Sequence, residues 1–353
     1  MARRSILGLD IGTGSARAAE VSTKNDRPTL ERFASVALPR GAVAGGEIAD
    51  HAAVVMAVKE LVGRGRFGAK RTALGIANQK VVVRQIDMPA MEEDELKGAL
   101  QFQAQEYIPI PIEDAILDYQ VLEDSVDDKG ERTLKVLLVA AQRDMVNTFV
   151  AVAQEAGLDP AVVDLSSFAD MRSLANTTPI LGTRESEAII DIGAGVTNIV
   201  AHEQGKPRFV RILPMGGNDV TDALVTGLNV DASEAESVKA RVGLSPEGGA
   251  VPAEGAAKII EQRASAFVDE IRGSIDYYLT QPGAARISTV ILTGGGAKLP
   301  GLHERLAAAL HLPVEEGQPL SRVRLGKLTQ TPDELAQLSA VCAVSVGLAM
   351  RET

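Results

Sequence analysis

Two aspartates stand at matching places in a repeated pattern. Ile6-Leu7-Gly8-Leu9-Asp10-Ile11-Gly12-Thr13-Gly14-Ser15 is echoed by Ala188-Ile189-Ile190-Asp191-Ile192-Gly193-Ala194-Gly195-Val196. Glycine turns present backbone N–H groups with no Cβ in the way, so phosphate oxygens can approach the main chain. A carboxylate beside such a cradle would repel phosphate unless a cation lies between them. Mg²⁺ suits that place, because it keeps several waters and is held through one or two carboxylates. Asp10 and Asp191 are therefore the candidate metal-positioning and catalytic residues, one of them also able to orient an attacking water. Gly12, Thr13, Gly14, Ser15, Gly193, Gly195 and Thr197 are the candidate phosphate contacts, with Thr13 and Ser15 offering hydroxyls. Each motif alone reads equally well as an ordinary tight hairpin; two matched copies are what favour a site.

A third glycine cluster, Thr293-Gly294-Gly295-Gly296-Ala297-Lys298-Leu299-Pro300-Gly301, follows a strand and opens a helix, so a base and an α-phosphate can lie on bare backbone near a helix N-terminus. Gly294, Gly295, Gly296 and Leu299 join the candidate list. Gly216 and Gly217 join it too, ahead of Asn218-Asp219, which is a predicted cap for a helix over 220–228.

Each glycine turn must be held by strands on both sides. Short alternating residues follow both turns, so each closes a β-hairpin, unlike a dinucleotide-binding fingerprint, whose glycines open a helix. Between the copies, a strand over 81–88, a helix over 92–107 stopped by Pro109, strands over 116–122 and 134–141, a helix over 143–156 and a strand over 160–165 give the order βαββαβ. That order matches a split ferredoxin-like unit. Helices dominate from 220 to about 279, broken by a loop over 243–252, and one closing helix is predicted over 332–350.

The 353 residues exceed the size at which single cores stop growing, so two lobes are expected. A net charge of −11 argues against a phosphate-backbone binder, and 3% aromatics with no Trp against base stacking, so no nucleic-acid partner is expected. The single cysteine, Cys342, lies in an apolar run and reads as a core thiol in a reducing compartment. The basic Met1-Ala2-Arg3-Arg4 is followed by an apolar stretch interrupted at Asp10, too early for a signal peptide, and the longest apolar run, 338–350, is too short to span a bilayer. A cytoplasmic protein is expected.

The three glycine segments resemble those of the actin-like ATPase superfamily, in which two phosphate hairpins and an adenosine loop close around ATP. The resemblance implies an α/β, two-lobed actin-like fold, ATP and Mg²⁺ as cofactors, and a ribose and adenine role for Glu236 and Lys239, which otherwise read as a solvated salt pair. It implies a first lobe of 1–187 plus 330–353, containing an inserted subdomain over 81–165 of the SHS2 type, and a second lobe of 188–329. The insert, with Glu106-Tyr107-Ile108-Pro109-Ile110-Pro111-Ile112-Glu113-Asp114 and Leu117-Asp118-Tyr119-Gln120-Val121-Leu122, is similar to that of the type IV pilus assembly PilM family, in the FtsA-like branch, as is Glu270-Ile271-Arg272-Gly273-Ser274-Ile275-Asp276-Tyr277-Tyr278. That family resemblance implies a cytoplasmic scaffold that binds the cytoplasmic N-terminal tail of the inner-membrane protein PilN in a groove formed partly by the insert. It also implies membrane contact only through partners, since FtsA-like proteins carry an amphipathic helix after the core and this sequence stops at Thr353. Turnover of ATP is expected to be slow at most: Asp164-Leu165-Ser166-Ser167-Phe168-Ala169-Asp170 offers no Gln or Glu to position water, and Asp164, the one substitute, reads as a packing or capping residue. An FtsA-like cytoskeletal protein and a small-molecule kinase of the same fold are the alternatives; no acceptor-site base stands beside the turns.

Overall fold

The computed structural model describes residues 4–24, 27–126, 130–176, 185–244, 253–328 and 330–351. Most of the loop expected over 243–252 and most of the basic start lie outside them. Along the chain run β1 (Arg4–Ile11), β2 (Ser15–Lys24), β3 (Arg27–Ala37), β4 (Val43–Ala44), β5 (Glu47–Ile48), α1 (His51–Gly65), β6 (Arg71–Ile76), β7 (Val81–Pro89), α2 (Glu93–Tyr107), β8 (Ala115–Val126), β9 (Arg132–Gln142), α3 (Arg143–Glu155), β10 (Asp159–Leu165) and α4 (Ser166–Leu174). The second half continues with β11 (Glu185–Ile192), β12 (Thr197–Glu203), β13 (Lys206–Leu213), α5 (Gly217–Leu228), α6 (Ala232–Val242), α7 (Ala253–Leu279), β14 (Arg286–Thr293), α8 (Leu302–Leu310), β15 (Val314–Glu316), β16 (Arg324–Leu325), α9 (Pro332–Ser339) and α10 (Ala343–Ala349).

The sequence echo becomes two sheets built on one plan. In the first, ordered β10-β6-β1-β2-β3-β16, β1 pairs antiparallel with β2 across the turn and parallel with β6. In the second, ordered β13-β12-β11-β14-β15, β11 pairs antiparallel with β12 and parallel with β14. Central strands covered on both faces must be apolar on both, and β1 shows how. Leu7, Leu9 and Ile11 join the core shared with α1 and α3, while Gly8 on the other face lies against α10.

The crossing between lobes is packed backbone to backbone. A Cβ on Gly8 would stand 2.1 Å from the Ser345 carbonyl, and one on Gly347 would stand 1.8 Å from the Ala169 carbonyl. Helices α4 and α10 therefore approach the first sheet and each other closer than any side chain permits. Gly347→Val is expected to destabilise the fold by about 3 kcal/mol, the upper range of overpacking costs, seen as a lowered urea midpoint; an unchanged midpoint would mean that the helices can separate freely.

Three differences from the sequence expectations have physical reasons. The βαββαβ order is present, but only β7, β9 and β8 form a sheet of their own, covered by α2. β10 pairs parallel with β6 in the first sheet, and α3 buries Phe149 and Val152 in that lobe's core. The self-contained unit thus ends at Gln142, because β10 finds a parallel partner that local sequence cannot reveal. The chain returns to the first sheet through β16, which pairs with β3, rather than at 330. The closing helix is two helices, α9 and α10, split at Ala340–Cys342: the Gly294 N–H donates to the Ala340 carbonyl at 2.7 Å, drawing that turn into the cleft.

Candidate functional site

The two aspartate hairpins meet in the cleft between the lobes. The Gly12 N–H donates to the Ser15 carbonyl at 3.1 Å and the Gly193 N–H to the Val196 carbonyl at 2.9 Å, closing the two turns alike. They touch: a Cβ on Gly14 would lie 3.3 Å from the Ala194 side chain, and one on Gly195 would lie 2.9 Å from the Thr13 hydroxyl. Asp10, Gly12, Thr13, Gly14, Asp191, Gly193, Gly294 and Gly295 all line one end of the cleft, a cavity of about 80 Å³. Gly216, Gly217, Glu236, Lys239, Gly295, Gly296 and Leu299 line an adjoining cavity of about 310 Å³, walled by Phe267 and Leu302. The three glycine segments, far apart in sequence, thus line two neighbouring cavities that share Gly295 in their walls.

Two candidates do other work. Thr197 is fully buried and its hydroxyl donates to the Met215 carbonyl at 2.9 Å, so strand alternation turns it away from the cleft and turns Asn198 toward it. Ser15 contributes its carbonyl to the turn rather than a side chain to the cavity wall. The expected cap Asn218-Asp219 is shifted: Gly216 is the N-cap residue, and the Asp219 carboxylate accepts from the Gly216 N–H at 2.7 Å. Glu236 and Lys239 are a buttressed pair. The Lys239 ammonium donates to Glu236 at 2.7 Å, to the Thr221 hydroxyl at 2.8 Å and to the Gly217 carbonyl at 3.1 Å, tying α6 to the start of α5.

Asp10 and Asp191 are alike in position and unlike in environment. The residue directly across the hairpin from Asp10 is Arg17, and the residue across from Asp191 is Asn198. Arg17 donates to Asp10 at 3.1 Å, which partly opposes the rise in that carboxyl's pKa caused by burial. Asn198 donates only a neutral amide bond to Asp191, so burial first and the Asp10 charge second push Asp191 up to about 6. Both partners were present in the sequence, each seven positions after its aspartate. Extending the echo past the glycines would have found them.

A third carboxylate was not foreseen. Asp170 on α4 is 1% exposed, neither of its oxygens has a hydrogen-bond partner, and burial followed by the charges of Asp191 and Asp10 raises its pKa well above the usual range. Nothing in Ser166-Ser167-Phe168-Ala169 signals this, because the burial comes from α10 and the second sheet closing over the helix. Asp164, by contrast, binds Arg172 and lies 2.8 Å from Arg351, outside the lining of the glycine cleft, which supports its packing role. Cys342 is buried, with its thiol pushed up to about 12, a core thiol and not a nucleophile.

The donor set suits a hydrated divalent cation. Among the described residues no three His, Cys, Asp or Glu side chains converge to hold a metal directly. Two carboxylates facing a cleft, with the Asn198 Oδ1 buried beside them and lacking a partner, instead fit an ion that keeps its waters. The glycines are required by space: a Cβ on Gly294 would stand 2.3 Å from Asp191 Oδ1, and one on Gly216 would stand 2.4 Å from the Gly193 carbonyl.

Known proteins share this architecture. MreB5 of Spiroplasma citri bound to ADP has a TM-score of 0.54 at 14% identity, covering 98% of this chain and 94% of that one, which shows the actin-like fold. The cell division protein FtsA of Escherichia coli K12 is 29% identical over 251 residues, covering 63% of this chain and 58% of FtsA, so the match spans little more than half of that relative. A solved PilM-PilN type IV pilus biogenesis complex is closer in shape, with a TM-score of 0.86 at 29% identity and 99% of both chains covered. The model of the family "Type IV pilus assembly protein PilM" matches residues 8–353, nearly the whole chain, and the protein belongs to that family.

Proposed function

We propose that this chain is a nucleotide-dependent scaffold of type IV pilus assembly, which clamps Mg²⁺-ATP between its lobes and receives the cytoplasmic N-terminal tail of PilN. The observation that carries the nucleotide reading is the meeting of two aspartate hairpins and a glycine loop around two neighbouring cavities that share Gly295. Asp10 and Asp191 would hold the hydrated cation. Because the Gly12 and Gly193 N–H groups close their own turns, the phosphate donors are the N–H groups nearer the turn tips, those of Gly14 and Gly195; the larger end, with Phe267 and Leu299 as apolar walls, takes the adenosine. No Gln or Glu lines the phosphate end among the described residues, so ATP is read chiefly as a ligand that favours closed lobes.

The partner reading rests on a second groove, lined by Ile116 and Val139 of the insert, Val163, Phe168 and Met171 of the first lobe, and Pro207 of the second. Its apolar floor and its rim of Asp118, Asp164, Arg172 and Arg351 suit an extended segment with alternating apolar anchors. Among the described residues no helix is long and apolar enough to cross a membrane, so contact with the inner membrane is assigned to the partner.

Calorimetric titration tests the first half. ATP with Mg²⁺ is expected to bind at one site per chain, and adding EDTA to weaken it at least about tenfold, a loss of roughly 1.4 kcal/mol. No heat from any adenine nucleotide would overturn the reading.

A further inference from the structure

The groove just described has walls from three bodies, and one side chain ties two of them together. Pro207, Arg208 and Phe209 are consecutive on β13. Pro207 forms the groove's second-lobe wall. Phe209 packs against Tyr278, ring centroids 5.9 Å apart, and against Tyr277 at 6.0 Å, which fixes β13 to α7 in the second-lobe core. Arg208 lies between them, 9% exposed, and its guanidinium pairs with Glu203 of its own lobe at 3.1 Å and with Glu123 on β8 of the insert. Its carbonyl accepts from the Gln85 amide of β7 at 2.6 Å, so two strands of the insert are held to one residue of the second lobe.

The insert is joined covalently to the first lobe at Lys80 and Gln142, and Arg208 is its charged tie to the second. Any rotation of the lobes must therefore either carry the insert along or break this contact. Glu123 lies three residues beyond Gln120, part of the groove's β8 wall, and Arg208 follows Pro207, part of the facing wall. Neither side chain lines the groove itself, but each stands in a strand that does, so the pair fixes how far apart those two strands lie.

We propose that the Arg208–Glu123 pair couples the two sites, holding the groove at its binding width only when the lobes are closed, so that nucleotide and tail peptide each tighten the binding of the other. This rests on the scaffold reading above. In the present arrangement the glycine hairpins of the two lobes touch and the pair is formed, so contact between the lobes at the cleft and contact of the second lobe with the insert occur together. A ligand that favours one must favour the other to the same factor.

The test uses the full chain and a fluorescent synthetic peptide of the PilN cytoplasmic N-terminal tail, titrated by anisotropy with and without saturating Mg²⁺-ATP. Wild type is expected to bind the peptide about fivefold tighter with nucleotide, the lower end of usual coupling factors, and saturating peptide to tighten ATP equally in calorimetry. Glu123→Gln, at a half-buried position where the fold tolerates the change, is expected to bring both ratios to about onefold while each ligand still binds alone. Glu123→Asp, which keeps the charge facing Arg208 and Lys135, should retain most of both ratios. A wild-type ratio of one, or a full ratio in Glu123→Gln, overturns the coupling and leaves the docking reading intact. Absence of peptide binding in every condition overturns both together.

Discussion

Asp191→Asn is expected to make the ligand-free protein more stable at pH 8 while removing its Mg²⁺-dependent affinity for ATP. Burial and the neighbouring Asp10 charge raise the Asp191 carboxyl from 3.8 to about 6 in the folded chain. A carboxyl raised by folding stabilises the fold fully only below its unfolded value, and that contribution is lost as pH rises through the folded value. The loss falls between about pH 4 and 6 and amounts to about 3 kcal/mol, at 1.36 kcal/mol per pKa unit. Asn has nearly the same shape, still accepts the Asn198 amide, and cannot ionise, so at pH 8 the variant should exceed wild type by an amount of that order. Part of the pH dependence will survive, because Asp170 is shifted in the same direction by the same causes. With Mg²⁺ and ATP present the order should reverse, since ligand binding stabilises only the protein that binds. Urea unfolding at pH 5 and pH 8, with and without Mg²⁺-ATP, reads all of this. Equal urea midpoints for variant and wild type at pH 8 without ligand would show that Asp191 is not strained, and an undiminished shift of the variant by Mg²⁺-ATP would remove it from the metal site.

The same asymmetry assigns different tasks to the two matched aspartates. Asp10, beside Arg17, carries a charge that is already partly balanced, so a cation gains less by approaching it. Asp191 has an amide as its hydrogen-bond partner and feels Arg17 only at a distance, against its own burial and the Asp10 charge, so a bound cation would relieve the larger strain there. Binding-site residues held at a cost to the empty fold are a common outcome where function and stability compete.

The glycine turns and their strands could be read directly because hairpins follow from residues close together in sequence: alternating apolar residues, glycines, then alternation again. The third cluster could be read for the same reason. What sequence could not supply was anything decided by distant strands. β10 carries no sign that β6 awaits it, so local pattern alone groups it with the insert strands. The run from Leu338 to Met350 contains no proline, and its helical period is continuous enough to predict one helix. It breaks at Ala340 because Gly294 and Thr293, nearly fifty positions earlier, take that carbonyl. Thr197 and Asn198 sit side by side, and only the register of β11 against β12 decides which of them faces the cleft.

Excising residues 81–141 is expected to leave a folded chain that binds ATP and to weaken the PilN tail peptide at least about 100-fold, roughly 2.7 kcal/mol. The boundary follows from the hydrogen bonds. Val81 faces Ala141 across the β7–β9 pair, and the Gln142 N–H donates to the Lys80 carbonyl at 3.2 Å, so the cut ends already lie side by side and a short glycine link can join them. The insert has its own core, in which Met88, Leu96, Val136 and Leu138 pack under α2, and removing it takes that core away whole. The cost lies at its base, where Val81, Val83, Leu137 and Ala141 pack on the first lobe and leave apolar surface behind. Extending the cut to residue 165 is a different experiment. It deletes β10, an edge strand of the first sheet, and α3 with Phe149 and Val152, and should yield a chain that does not fold. Circular dichroism melts separate the two deletions, and anisotropy with the tail peptide reads the groove in the shorter one. If the chain lacking 81–141 melts cooperatively and still holds the peptide within about twofold of wild type, the groove walls contributed by Ile116 and Val139 are not where the tail lies, and the partner site must be sought on the lobes alone.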